Sequence, residues 1–340
     1  MRFGLLSSAQ ADNHEFGPRT GQGFREYLDF NVEAETLGYH SSFCVEHHFT
    51  GWNQVSATLI LLACLAMRTT RLRLGTAVMV LPWHNPVLLA EQAATLDLSS
   101  GGRLDFGVGK GYRHNEFKGF GILQEEAEAR FEEAIEVITR AWTSRTRFSH
   151  HGRHWRFEDI VVEPPTAQRP HPPFWVAAAS PPSIRRAAAR GFNLLLDQYA
   201  APESIGERIA LYRSECEAHG APFDPMQVAV ARQLYIATDE ADKQAALARQ
   251  AEHTRRTVAV SLAPGAERGS HVLAYADGER ATEANALYGT PDEIRGMLGD
   301  LSQVGVEYVL LTIAGGQEQL RRFASEIMPG FSHGFREAQR

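Results

Sequence analysis

Short apolar runs alternate with longer amphipathic segments along this chain, and eight such runs can be traced. The expected strands are Phe3–Ser8, Ser42–Glu46, Leu72–Leu81, Leu104–Gly109, Phe174–Ala179, Asn193–Gln198, Gln227–Ala237 and Tyr308–Ala314. Helical periodicity fills the intervals at Gly23–Leu37, Gln54–Met67, Pro86–Leu98, Glu125–Trp142, Ser183–Arg190, Glu203–His219, Asp239–His253 and Asp292–Val304, with a last helix at Gln317–Ile327. A strand that reaches the next strand through a helix lies parallel to it. Val78–Leu81 and Leu194–Leu196 are apolar without alternation, as strands covered on both faces are. An open doubly wound sheet would place a GxGxxG turn after the first strand, and none is there. Gly107-Val108-Gly109-Lys110-Gly111 has the wrong spacing, with Tyr112 where the last glycine should fall. The pattern predicts an α/β chain, a (β/α)8 TIM barrel with insertions, as a single domain over residues 1–340.

Local punctuation agrees with that register. Thr290-Pro291-Asp292-Glu293 reads as a capping box, and Asn85-Pro86 repeats the cap-then-proline logic. Two segments break the repeat. Residues 145–173 hold Trp155, Phe157, Pro164, Pro165 and Pro172, and are expected to form a short hairpin and an irregular connection. Residues 254–288 are Ala/Gly-rich and weakly periodic, the pattern of a loop or lid.

Composition removes several function classes. A net charge of −7 without a Lys/Arg run argues against nucleic acid as a partner. The three cysteines are widely spaced and lack a CxxC pairing, so neither a disulfide framework nor a zinc site is expected. A reducing, cytoplasmic setting fits them. The longest apolar stretch, Val55–Met67, is shorter than the roughly 20 residues that span a bilayer. Met1 leads straight into the first strand pattern, with no signal-peptide layout.

A barrel keeps its chemistry at the C-terminal ends of its strands. Read in order, those ends supply Glu46-His47-His48, then Pro82-Trp83-His84-Asn85, Lys110 between Gly109 and Gly111, Ser180 to Ser183, and Asp197-Gln198. Ser180 and Ser183 open a helix, where free N–H groups and hydroxyls suit an anion, and Lys110 supplies a counter-charge. The plainer alternative is an N-cap beside an exposed lysine. The pair His47-His48 suits acid/base or polar-anchor work better than metal binding, since no HxxxH or carboxylate triad accompanies it. No nucleophile elbow or P-loop is visible. A phosphate-bearing cofactor is therefore expected to carry the reaction.

Glu46-His47-His48-Phe49-Thr50, Leu74 to Pro82, Asn85-Pro86 through Asp97 to Gly102-Arg103-Leu104, Phe106 to Gly111, Gly289-Thr290-Pro291 and Ile327-Met328-Pro329 resemble the bacterial luciferase-like flavin monooxygenases, the luciferase alpha subunit among them. The resemblance covers essentially the whole chain and is densest from Glu46 to Gly121. It implies a barrel that takes reduced FMN from a separate flavin reductase and uses O2, through a C4a-hydroperoxyflavin, to oxygenate a small aldehyde- or ketone-like substrate. By motif, His47 would be the catalytic histidine, with Glu46 and His48 organising the same wall. Ala77-Val78 falls where the family has a non-prolyl cis peptide. Lys110, Ser180 and Ser183 fall at the flavin phosphate, Gly111 and Ala179 beside them among the cofactor-binding residues, and residues 254–288 at a mobile lid. A homodimer through Gln54–Met67 and Pro86–Leu98 is implied as well.

Three departures set this chain apart from the light-emitting members. Gly109 stands where cysteine precedes the phosphate-binding basic residue, Ala179 where glutamate precedes the serine, and Glu128 where an arginine is expected. They favour a dark monooxygenase. The alternatives are an F420-dependent hydride-transfer oxidoreductase and a non-catalytic flavin-binding partner subunit.

Overall fold

The computed structural model describes residues 1–11, 21–261 and 284–331. Eight parallel strands close into a ring: β1 (Arg2–Ser7), β2 (Ser41–Cys44), β3 (Arg73–Thr76), β5 (Leu104–Gly109), β8 (Phe174–Ala177), β9 (Asn193–Leu196), β10 (Val228–Ile236) and β12 (Tyr308–Ile313). The seam closes by β12 pairing with β1, Arg2 opposite Tyr308 and Leu5 opposite Leu311. Between β3 and β5 the two-residue strand β4 (Met79–Val80) carries the β3 position onward, with Met79 opposite Val108. The strand expected over Leu72–Leu81 is therefore one barrel position in two pieces. The break is the cis peptide Ala77–Val78.

Helices cover the outside. In chain order they are α1 (Gln22–Leu37), α2 (Thr58–Ala66), α3 (Pro86–Ser99), α4 (His114–Phe120), α5 (Ala127–Thr143), α6 (Pro181–Ala189), α7 (Pro202–Ala218), α8 (Glu240–Ser261), α9 (Pro291–Gln303) and α10 (Gly316–Arg322). The caps read from the sequence are in place. Thr290 and Glu293 form the capping box of α9, and Asn85 Oδ1 accepts from the N–H groups of Val87 and Leu88 at the start of α3. Gly38 ends α1 in the left-handed region at φ 93°, where a Cβ would be costly.

The irregular segment before β8 contains the antiparallel hairpin β6 (Phe148–His151) and β7 (Arg156–Ile160). Glu133 on α5 fixes it by accepting from the N–H groups of His154 and Trp155, both at 2.9 Å. Buried Asp97 on α3 then holds Gln168, whose N–H and Nε2 donate at 2.9 and 2.7 Å. Two expectations shift at the other insertion. The helix expected to end at His253 continues to Ser261, so residues 254–261 are helical and not loop, and Leu287–Gly289 forms β11, paired with the end of β10. Residues 262–283, the rest of the expected lid, lie outside the described residues.

Apolar packing forms two layers. Inside the ring, Phe43, Trp175 and Tyr308 meet edge to face, with centroids 5.6 and 5.9 Å apart, and plug the N-terminal half of the barrel. Between ring and helices, Phe106 packs against Trp142 of α5 and Phe174 of β8. Among the described residues, no helix is long and apolar enough to cross a membrane.

Close approach of β3 and β5 depends on Gly107, where an added Cβ would lie 1.7 Å from the Thr76 carbonyl oxygen. Backbone cannot yield there as a flexible side chain would. Gly107→Ala is expected to destabilise the fold by about 3 kcal/mol or more, at the upper end of overpacking costs. Urea unfolding midpoints check this, and a variant within about 0.5 kcal/mol of the parent, the usual spread for surface changes, would show that the two strands part easily.

Candidate active site

Four strand ends converge on a cavity of about 420 Å³ at the C-terminal mouth of the barrel. Glu46 and His47 follow β2, Ala77 and Val78 lie between β3 and β4, Lys110 and Gly111 follow β5, and Ala177 to Ala179 end β8. The volume falls within the range of about 300–1,000 Å³ usual for small-molecule sites. Leu6, Val78, Leu195 and Leu310 make much of its wall apolar.

Glu46 is 1% exposed and gathers four donors. Its Oε2 accepts the Val80 N–H at 2.8 Å, and its Oε1 accepts from His84 Nε2 at 2.7 Å, His48 Nε2 at 2.8 Å and Trp83 Nε1 at 3.2 Å. Burial alone would push this carboxyl up, but the hydrogen bonds from His48 and His84, with the Val80 N–H, hold it at about 2. Glu46 thus ties the end of β2 to the segment after the cis peptide.

His47 stands in the cavity wall. Its Nδ1 lies 3.1 Å from Glu116 Oε1, which also accepts the His48 N–H at 2.9 Å. An acceptor at Nδ1 selects the tautomer with its proton there and leaves Nε2 as a base. Burial pushes the His47 imidazolium down; the Glu116 hydrogen bond opposes that and the Arg113 charge adds to it. Glu116 was not anticipated. It belongs to α4, which at seven residues is too short to show a 3.6-residue period.

The third expected catalytic residue, His48, does not line the cavity. Its ring packs edge to face against Phe120 and Trp83 with centroids 4.8 and 5.9 Å away, while Nε2 serves Glu46. His84 and Trp83 complete that support and were read from sequence only as residues at a strand end. Asp197 faces the cavity, but its carboxylate already accepts from Arg208 and from the N–H groups of Tyr199 and Ala200. Among the described residues, no group of three or more His, Cys, Asp or Glu is placed to hold a metal ion.

The residues expected to meet an anion lie beside the cavity mouth, with Lys110 and Ala179 in its lining. Ser180 caps α6, with its Oγ 3.0 Å from Ser183 Oγ and 3.4 Å from the Ser183 nitrogen. Lys110 pairs with Glu128 of α5, and the same carboxylate lies 3.5 Å from Arg186 Nη2 on α6. Glu128 therefore links Lys110 to the helix that the two serines open. Arg186 is a second cation at this rim that sequence reasoning passed over. Lysine, arginine, two hydroxyls and a helix N-terminus form a donor set suited to a phosphate. All are exposed enough to meet a ligand from solvent.

A family model described as luciferase-like monooxygenase matches residues 1–308. The chain belongs to that family. It is a luciferase-like, flavin-dependent oxidoreductase, as the resemblance implied. The oxygenase component of the flavin-dependent trigonelline monooxygenase of Acinetobacter baylyi is 29% identical over 249 residues, which are 72% of this chain and 68% of that protein. The FMNH2-dependent dimethylsulfone monooxygenase of Pseudomonas putida is 27% identical over 324 residues, 89% and 87% of the two chains. Monooxygenase RslO1 from Streptomyces bottropensis has the same fold, with a TM-score of 0.84 at 29% identity over 97% of this chain and 100% of that one.

Removing the Glu46 carboxylate would strand buried donors on three side chains and one backbone N–H. Glu46→Ala is expected to cost about 3 kcal/mol or more, since each buried unsatisfied group costs about 1–3 kcal/mol. The pH dependence has a definite sign. With a depressed folded pKa, the contribution is full above the unfolded carboxyl value of about 4.3 and fades as pH falls toward about 2. Urea unfolding at pH 7 and pH 3 checks both arms, and equal midpoints for variant and parent at pH 7 would show that the network adds no stability.

Proposed function

We propose that this chain is the oxygenase component of a two-component monooxygenase that takes reduced FMN from a separate flavin reductase and uses O2 to oxygenate a small aldehyde- or ketone-like substrate. One observation carries the reading: a single cavity has a base-bearing histidine and Lys110 in its wall, and Ala179 of that wall leads directly into the helix start that Ser180 caps. The relatives named as FMNH2-dependent or as an oxygenase component support it. Reduced flavin would supply the two electrons by which one oxygen atom of O2 enters the substrate and the other leaves as water.

The residues fit that ligand in a definite order. Lys110, Ser180 and Ser183, with Arg186, would hold the phosphate. Ala77, Val78, Gly111 and Ala179 would border the rest of the cofactor. His47 Nε2 would take up and return a proton beside the reacting atoms, with Glu116 fixing its tautomer. Glu46 and His48 act through position, holding the wall that His47 stands on.

Reduced FMN added without oxygen should bind, and its fluorescence and absorbance should change. On mixing with oxygen, flavin absorbance should pass through a transient distinct from reduced and oxidised FMN. His47→Ala should lower turnover about a hundredfold or more, the scale of a lost acid/base group. Because burial holds the His47 imidazole neutral, the acid limb of activity should lie below the free value of about 6.5. Oxidation at the rate of free flavin, with tight F420 binding instead, would favour the hydride-transfer enzyme. Unchanged turnover in His47→Ala would remove the catalytic assignment and favour a partner-subunit role.

A cytoplasmic homodimer belongs to the same proposal. Cys44, Cys64 and Cys216 are free thiols, as a reducing compartment keeps them. Ile60 on α2 and Leu88 on α3 leave 69% and 55% of their surface exposed, on two neighbouring helices, α2 being apolar almost throughout. A second copy packed on this face would cover them. Sizing chromatography should show a dimer, and Ile60→Asp, meeting its own copy across a twofold, should shift it to monomer. A parent that elutes as a monomer at micromolar concentration would sink the dimer.

A further inference from the structure

A second cavity, of about 490 Å³, opens off the first and shares His47 and Tyr112 with it. Its wall is built from β1, the Trp52–Gln54 loop and the C-terminal half of α8, where Gln250, His253 and Thr257 face inward. One residue there is out of balance. Arg113, between β5 and α4, is 4% exposed, yet its Nη1 has no hydrogen-bond partner. Its Nε has Tyr112 Oη at 3.4 Å, and its guanidinium lies 5.7 Å from the Tyr112 ring centre. No described carboxylate lies within ion-pair distance of it.

An arginine keeps its charge in a protein, and a buried guanidinium without a counter-ion is costly. Among the described residues the cavity does not supply one: neither Asp nor Glu lines it. The other titratable groups facing it are His47 and His253 and the phenols of Tyr112 and Tyr199. Burial, and then the Arg113 charge among others, pushes both imidazoles toward the neutral form. Buried Gln233 and half-buried Gln54 add two amides whose buried Oε1 atoms have no partner. An amide can present either its oxygen or its NH2 to a ligand. The lining also includes apolar Phe30, Val45, Trp52 and Leu311.

We propose that Arg113 binds a carboxylate carried by the substrate, so that the aldehyde- or ketone-like compound is also a small organic acid, with its apolar body extending toward His47. A carboxylate offers the two oxygens that an arginine fork holds in parallel, and it cancels the charge that the fold leaves open. The inference rests on the proposed function only in naming the ligand a substrate. The subsite itself stands on buried Arg113 and on a cavity whose described lining holds no carboxylate.

Binding can be read on the full chain without flavin, by titration calorimetry with four matched pairs: benzoate and benzamide, nicotinate and nicotinamide, phenylacetate and phenylacetamide, octanoate and octanamide. At least one acid should bind about tenfold or more tightly than its amide, a difference of about 1.4 kcal/mol. Arg113→Gln should bring that pair to within about twofold, and Arg113→Lys should keep part of the preference through charge without the fork. If Arg113→Gln does not fold, the lysine variant and the parent's acid-over-amide ratio still decide. No acid preferred over its amide in the parent, or a preference that Arg113→Gln leaves intact, overturns the proposal. Acid binding that depends on Arg113 in a protein that ignores reduced FMN would reject the flavin reading and leave this subsite standing.

Discussion

The carboxylate of Glu46 enters the interior as a charge, and what surrounds it explains the local build of the barrel mouth. A buried carboxylate without donors would take up a proton instead, because the interior solvates charge poorly. Here three side-chain N–H groups and one backbone N–H replace water. The donors come from the segment after β2, from β4 and from the turn that follows it. The network therefore makes two strand ends one rigid piece, and His47, next in sequence to Glu46, inherits a fixed position. Glu116 reaches the same piece from α4 and sets which nitrogen of His47 carries the proton. The chemistry proposed at Nε2 thus depends on two carboxylates, of Glu46 and Glu116, that act on His47 through position and hydrogen bonding.

Much of this was legible in the sequence, and the failures have physical reasons. Each barrel strand is an apolar run, and every one observed lies inside or within a residue of its expected span. The interruption at Ala77–Val78 came only from resemblance, since neither residue carries a backbone signal as proline or glycine would. α4 escaped because one short helix holds too few turns to repeat a pattern. The end of α8 escaped for another reason. Thr254, Thr257 and Val258 are weak helix formers, and their places in the cavity wall outweigh propensity. The site was readable where it depends on strand ends, as at His47 and Lys110. It was unreadable where charges meet across the fold, as Glu116 meets His47 and Glu128 meets Lys110.

The two cavities have opposite needs. The first presents an apolar wall with its cations at the rim, exposed to solvent and already partnered. The second encloses its cation and leaves it open. A charge at the rim can be screened by salt and contributes on the order of 0–1 kcal/mol in an ion pair. A charge as deep as Arg113 is screened far less. The electrostatic character of the site is accordingly set from its interior more than from its mouth.

Glu128 gives the rim a property that its cations alone would not suggest. An anion arriving at Lys110 and Arg186 does not fill a waiting positive site, because a carboxylate already lies between them. It must exchange with that carboxylate, and the driving force is the difference between two ion pairs. If the rim holds a phosphate as proposed, it would act as an exchanger, trading one ion pair for another on uptake and on release. It is suited to repeated handover of a ligand more than to lasting retention.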